Sequence, residues 1–255
     1  VATYLDTILA AHRAAAAGRE PRLDEARAMP PTRGFRRALA APTDGIHVIA
    51  EIKRRSPSKG DLNADLDPAA LAASYADGGA SCLSVLTDID FFGGSPEDLA
   101  AARAATPLPV IRKDFTVGAA DVADARLMGA DAVLLIAAAL DKAELSDFLR
   151  LATELGLDAL VETHDEHEVD RALDFGATLI GVNQRDLVTF QVDTDRAVRV
   201  AASMPDDVVK VAESGVRDGA DAARLRDAGY HAILVGETLV TALDPVAALK
   251  DLRCS

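Results

Sequence analysis

The 255-residue sequence contains no tryptophan, and aromatic residues make up only 4% of it. Platforms on which nucleic-acid bases could stack are therefore scarce. Positive charge is also short: 27 Lys and Arg stand against 41 Asp and Glu, a formal charge of −14. Nucleic acid and anionic membrane both require a basic face, so neither is expected as a partner. An anionic ligand would need the few cations gathered in one place. Two cysteines, Cys82 and Cys254, make no disulfide framework and no metal-type spacing. No window reaches the roughly 18 consecutive apolar residues of a membrane span. The opening VATYLDTILAAHRAAAAGRE carries Asp6 and lacks a basic segment followed by a cleavage site, so no signal peptide is expected. These absences predict a cytoplasmic protein.

The sequence does have the means to build a core. It is 49% hydrophobic and 27% charged, which excludes disorder. From about residue 46, short β-rich apolar runs alternate with helical patterns. The runs are HVIAEI (47–52), CLSVLT (82–87), LPVIR (108–112), DAVLLI (131–136), DALVE (158–162), TLIGV (178–182), VVKVA (208–212) and HAILVG (231–236). Their spacing suits one strand plus one helix per unit. Asp67-Pro68 and Ser95-Pro96 read as N-caps followed by proline at the first helical position. Asp141 with Glu144, and Asp165 with Glu168, have capping-box spacing. Gly129, Gly156, Gly176 and Gly229 fall where helices end.

Eight βα units predict an α/β fold, a closed (β/α)8 TIM barrel with its working groups at the C-terminal strand ends. An open doubly wound sheet would bring a GxGxxG fingerprint, which is absent. Residues 1–45 read as one or two helices, YLDTILAAHRAAA and LDEARAMPPTRGFRRALA. They form an N-terminal helical extension capping the barrel, within a single domain spanning 1–255.

Strand side chains alternate faces, so polar residues in phase with core residues are informative. In VIAEIKRRSPSKG, Ile49, Glu51 and Lys53 share a face, and the following loop offers hydroxyls and backbone N–H groups to an anion. Lys113 is in phase with Ile111 and Glu162 with Leu160; Asn183 and Glu213 directly follow the sixth and seventh runs. Any one could be a solvated charge. Five strand ends of this kind predict an active site. Ser214-Gly215 and Gly236-Glu237 sit where barrels bind phosphate. The Glu237 side chain is expected to turn away and leave its N–H to the anion. Burial and neighbouring cations are expected to lower the pKa of a catalytic lysine. Phe91 and Phe92 wall a pocket or simply pack. His164 and His167 lack a third ligand and read as solvated residues, not a metal site. Cys82, at the start of a strand, reads as inert.

The segments IAEIKRRSPSKG, LTDIDFFGGS, VIRKDF, LLIAAAL, LVETH, IGVNQRDL, VAESGV and VGETL occur in the order of a known family. The chain resembles the indole-3-glycerol-phosphate synthase family over nearly its whole length. That resemblance implies a lyase of tryptophan biosynthesis, with loss of carbon dioxide and water and with no cofactor or metal. The substrate implied is a small phosphorylated anthranilate derivative, 1-(2-carboxyphenylamino)-1-deoxyribulose 5-phosphate. By the same matching Lys113 is the general acid for ring closure and Glu162 acts in the dehydration. Glu51 and Lys53 assist, while Asn183, Glu213 and Ser214 complete the catalytic ring. Phosphate rests on Lys53, Ser56, Gly215, Gly236 and the Glu237 N–H. Arg185 meets an anionic group, and Phe92, Phe115, Leu134 and Leu187 hold the aromatic ring. A monomer is expected. Two alternatives differ in kind. Phosphoribosylanthranilate isomerisation would call for a cysteine near the end of the first strand, where Glu51-Ile52-Lys53 stands. A noncatalytic metabolite-binding barrel would not need Glu51, Lys113 and Glu162 together.

Overall fold

The computed structural model describes residues 3–57 and 59–253. Each of the apolar runs forms a strand: β1 (His47–Ile52), β2 (Cys82–Leu86), β3 (Val110–Lys113), β4 (Ala132–Ile136), β5 (Asp158–Thr163), β6 (Leu179–Asn183), β7 (Val209–Glu213) and β8 (Ala232–Val235). Every strand pairs in parallel with its neighbours in sequence, and β8 pairs with β1 to close the barrel. β3 begins two residues later than LPVIR suggests, because Pro109 has no N–H to give the ladder. It runs on to include Lys113.

The alternation sorts side chains as predicted. Ile49, Cys82, Ile111, Leu134, Leu160, Leu179, Val211 and Leu234 fill the barrel interior. Their neighbours Val48, Leu83, Val110, Val133, Val161, Ile180 and Ile233 pack outward beneath the helices.

The N-terminal extension forms three helices rather than one or two: α1 (Tyr4–Ala16), α2 (Leu23–Arg27) and α3 (Phe35–Leu39). The second expected helix breaks at Pro30-Pro31, which lack N–H donors and push the preceding residue out of the helical region. The carbonyls of Met29 and Pro30 accept from Arg126 instead. α3 closes the bottom of the barrel. Phe35 and Leu39 are fully buried in the interior cluster, and the N–H groups of Arg33 and Arg36 donate to Asp131 at 2.7 Å and Asp158 at 2.8 Å. Cys82 lies at that end too, its thiol directed at the Phe35 carbonyl (3.7 Å) and its pKa pushed up by burial. α1 lies across the other end. Tyr4 meets Phe91 and Phe190 edge-on, His12 Nε2 is 2.9 Å from Asp88, and Arg13 pairs with Glu144 at 2.6 Å.

The remaining helices are α4 (Pro68–Asp77), α5 (Pro96–Ala105), α6 (Ala119–Leu127), α7 (Lys142–Glu154), α8 (Glu166–Asp174), α9 (Arg196–Val200), α10 (Gly219–Asp227), α11 (Glu237–Val240) and α12 (Pro245–Arg253). Asp67 and Ser95 cap α4 and α5 as expected, and Asp141 with Glu144 closes a capping box on α7. At α8 the box stays open. Asp165 accepts the Glu168 N–H, but the Glu168 carboxylate reaches past it to His164.

Candidate active site

At the C-terminal ends of the strands a cavity of about 270 Å³ opens, and all sixteen residues expected at the site line it. Period-two alternation explains why the charged residues at the strand ends converge, since each is in phase with an interior apolar residue of its own strand, while the loops that follow the strands supply the rest. Glu51 follows Ile49, Lys113 follows Ile111, Glu162 follows Leu160 and Glu213 follows Val211. Two glycines make the room. A Cβ on Gly181 would overlap Glu213 Oε1, and one on Gly236 would overlap Glu51 Oε1.

The polar groups form one network. Lys113 Nζ lies 3.1 Å from Glu162 Oε2 and 3.6 Å from Glu213 Oε2. Asn183 Nδ2 donates to Glu162 Oε1 at 3.0 Å. Lys53 pairs with Glu51, whose other oxygen accepts from Ser84 Oγ at 3.4 Å. Burial works against the charge on Glu51, Lys113, Glu162 and Glu213. It raises Glu162, but Lys113, His164 and Asn183 outweigh it and hold that carboxyl below its usual range. Glu51 is likewise held low against burial, by Lys53 and Lys113. Glu213 has no such surplus of cations: burial and the nearby Glu162 push it up to about 8. Its Oε1 is buried without a hydrogen-bond partner. Glu51 and Glu162 are therefore biased towards the ionised form and Glu213 towards the protonated one. Lys113 is not lowered as expected. Burial does pull Lys113 down, but Glu162, Glu213 and Glu51 surround it and the net shift is upward. Lys113 is held as the ammonium.

The other expected contacts sort by chemistry. Phe92 and Phe115 lie 6.2 Å apart between ring centres and form an apolar wall with Leu134 and Leu187. Phe91, beside Phe92, packs instead against Tyr4 and His12 of α1. Arg185 lines the cavity, with one guanidinium nitrogen on the Phe190 carbonyl at 3.1 Å. Ser56, Gly215, Gly236 and Glu237 all line the cavity, and Ser56 Oγ is buried with no partner. Ser214 stands in the left-handed region at φ 67°. The Glu237 carboxylate is engaged by Lys59 at 3.2 Å.

Sequence reasoning missed three contributors. Ser84 sits in phase with Cys82 and Leu86, a signal that was available. Gly181 works by lacking a side chain, which no pattern of polar residues reveals. His164 is not the solvated residue expected: it lies 3.7 Å from Glu162 and is bonded to Glu168, with its side chain 14% exposed. His167 is exposed. Among the described residues one trio, His12, Asp88 and Asp114, has metal-like spacing. Its carboxylates are already taken, Asp114 by Arg112 and Thr87 and Asp88 by the N–H groups of Phe91 and Phe92.

Fold and site together define an enzyme of the (β/α)8-barrel class, with proton-transfer groups at the strand ends. Solved structures share the fold. Thiamine phosphate pyrophosphorylase from Pyrococcus furiosus aligns with a TM-score of 0.60 at 16% identity, over 81% of this chain and 93% of that one. A 3-hexulose-6-phosphate synthase gives 0.59 at 19%, over 82% and 99%. The family is set by sequence: the family model for indole-3-glycerol phosphate synthase matches residues 5–252, and the chain belongs to that family. The Mycolicibacterium smegmatis indole-3-glycerol phosphate synthase is 51% identical, over 98% of this chain and 94% of the relative. That of Chlorobium luteolum is 50% identical, over 83% and 80%.

Proposed function

We propose that this chain makes indole-3-glycerol phosphate from 1-(2-carboxyphenylamino)-1-deoxyribulose 5-phosphate, as a carboxy-lyase of tryptophan biosynthesis. Family membership supports the reaction. The observation that carries the assignment of roles is the Lys113 Nζ placed 3.1 Å from Glu162 and 3.6 Å from Glu213, two carboxyls whose surroundings shift them in opposite directions.

The aromatic ring lies against Phe92, Phe115, Leu134 and Leu187, and Arg185 meets the substrate carboxylate. Phosphate takes the hydroxyl of Ser56 and the backbone at Gly215, Gly236 and Glu237, with Lys53 nearby. The ring carbon bearing the carboxylate attacks the ketose carbonyl while Lys113 delivers a proton to its oxygen. A lysine of raised pKa can do this because the developing alkoxide is far more basic than the carbonyl was. Loss of carbon dioxide restores aromaticity. Glu213 then gives its proton to the departing hydroxyl, and Glu162 takes one from the new ring. Glu51 holds Lys53, and Asn183 holds Glu162. The reading includes a monomeric, cytoplasmic enzyme without nucleic-acid or membrane partners, supported by the charge of −14.

The test is a cofactor-free assay with synthetic substrate. Indole absorption and fluorescence should appear with enzyme alone. No indole signal from folded protein would defeat the proposal.

A further inference from the structure

His164 follows the end of β5 and is fixed on one side only. A single oxygen of Glu168, in the first turn of α8, accepts both its backbone N–H at 2.8 Å and its ring Nδ1 at 3.1 Å. On the other side Nε2 is buried and has no hydrogen-bond partner. It lies 3.7 Å from Glu162 Oε1, just outside bonding range. A buried ring nitrogen without a partner costs free energy unless a group meets it at some stage of function. A small rotation of either side chain would bring the two into contact.

We infer that His164, clamped by Glu168, is a positioning residue for Glu162: it stabilises the carboxylate's charge and links it to solvent past α8 while substrate occupies the barrel mouth. This rests on the role given above to Glu162. The proton balance of the reaction calls for a path from water into the buried network to which Glu162 belongs. Ring closure consumes one proton at the carbonyl oxygen. Departure of carbon dioxide from a carboxylate releases none. Dehydration consumes a second proton at the hydroxyl and returns one from the ring. Each turnover therefore draws one proton from water. The Glu162 side chain is 2% exposed, whereas those of His164 and Glu168 are 14% and 16% exposed.

The electrostatics favour the same role. Three charged groups face the imidazole: Glu162 from β5, Glu168 from α8 and Arg196 from α9. Burial and Arg196 pull its pKa down, the two carboxylates push it up, and the carboxylates prevail. When protonated, the ring is, after Lys113, the next cation favouring ionised Glu162. A purely structural clamp at the start of α8 would need neither the open Nε2 nor its approach to Glu162.

The test compares wild type with His164→Asn and Glu168→Gln, reading kcat and KM across pH together with the melting midpoint. Removing a cation beside Glu162 raises that carboxyl's pKa. The acid limb of kcat/KM should therefore move up by about one pH unit in His164→Asn, and in the same direction in Glu168→Gln. kcat should fall while KM stays near wild type. An acid limb unmoved in both variants overturns the inference, and if His164→Asn does not fold, Glu168→Gln decides alone. A Glu162→Gln variant separates the two readings. Should it dehydrate at the wild-type rate, the role of Glu162 falls and the inference with it. Should it be slow while the other variants keep the wild-type limb, only the inference falls.

Discussion

The Lys113 ammonium sits 3.1 Å from the Glu162 carboxylate, on a strand two removed from it around the barrel. The pair is buried, with side chains 15% and 2% exposed, so each partner fixes the charge of the other. Lys113→Met should slow ring closure by about 10²–10⁴-fold, the usual scale of general acid catalysis. Glu162→Gln should leave closure largely intact and let a cyclised, undehydrated intermediate accumulate. Rapid-quench analysis of single turnovers distinguishes the two. Closure at the wild-type rate in Lys113→Met would refute the role given to the lysine.

Glu213 links activity and stability to alkaline pH. Its folded pKa of about 8 lies above the ordinary carboxylate value of 4.5. Between those values the folded state binds the proton more tightly than the unfolded state does. Its contribution to stability is therefore complete below about pH 4.5 and is lost as pH rises through 8. Glu213→Gln, which cannot ionise, should melt progressively higher relative to wild type as pH goes from 5 to 8. Wild-type dehydration should decline above pH 8 as the proton donor ionises. Parallel melting curves at every pH would contradict this assignment.

Ser56 Oγ is buried and unpartnered, which marks it for the substrate phosphate. A hydrogen bond to a charged group contributes roughly 1.5–3 kcal/mol. Ser56→Ala should weaken binding of a phosphate-bearing product analogue by about tenfold or more, with the melting midpoint little changed. Calorimetric titration measures it, and unchanged affinity would place the phosphate elsewhere.

Phe35 plugs the end of the barrel opposite the cavity and is fully buried. Phe35→Ala should destabilise the fold by about 3–5 kcal/mol through lost burial and the void left behind. Denaturant unfolding would register this, while KM at moderate temperature should stay near wild type. A loss below about 1 kcal/mol would mean that α3 does not close the barrel as a packed element.

The sequence by itself determined the eight strands, their inward faces and the residues at their ends. A period of two is a local property, and a charged residue in phase with Ile49, Ile111 or Leu160 announces where it points. Capping by Asp67, Ser95 and Asp141 was equally local. The tertiary structure decided whatever depends on residues far apart in the chain. The break at Pro30-Pro31 was written in the sequence, but the seat of Phe35 beneath the strand starts was not. The room that Gly181 leaves for Glu213 comes from strand register across β6 and β7. The sign of the Lys113 shift depended on three carboxylates from β1, β5 and β7 meeting around one nitrogen. His164 looked like a solvated residue although its partners Glu162 and Glu168 are only two and four residues away, because its burial and the nearby Arg196 come from packing that the local sequence does not show. Electrostatic energy depends on distance and burial in space, and linear spacing encodes neither.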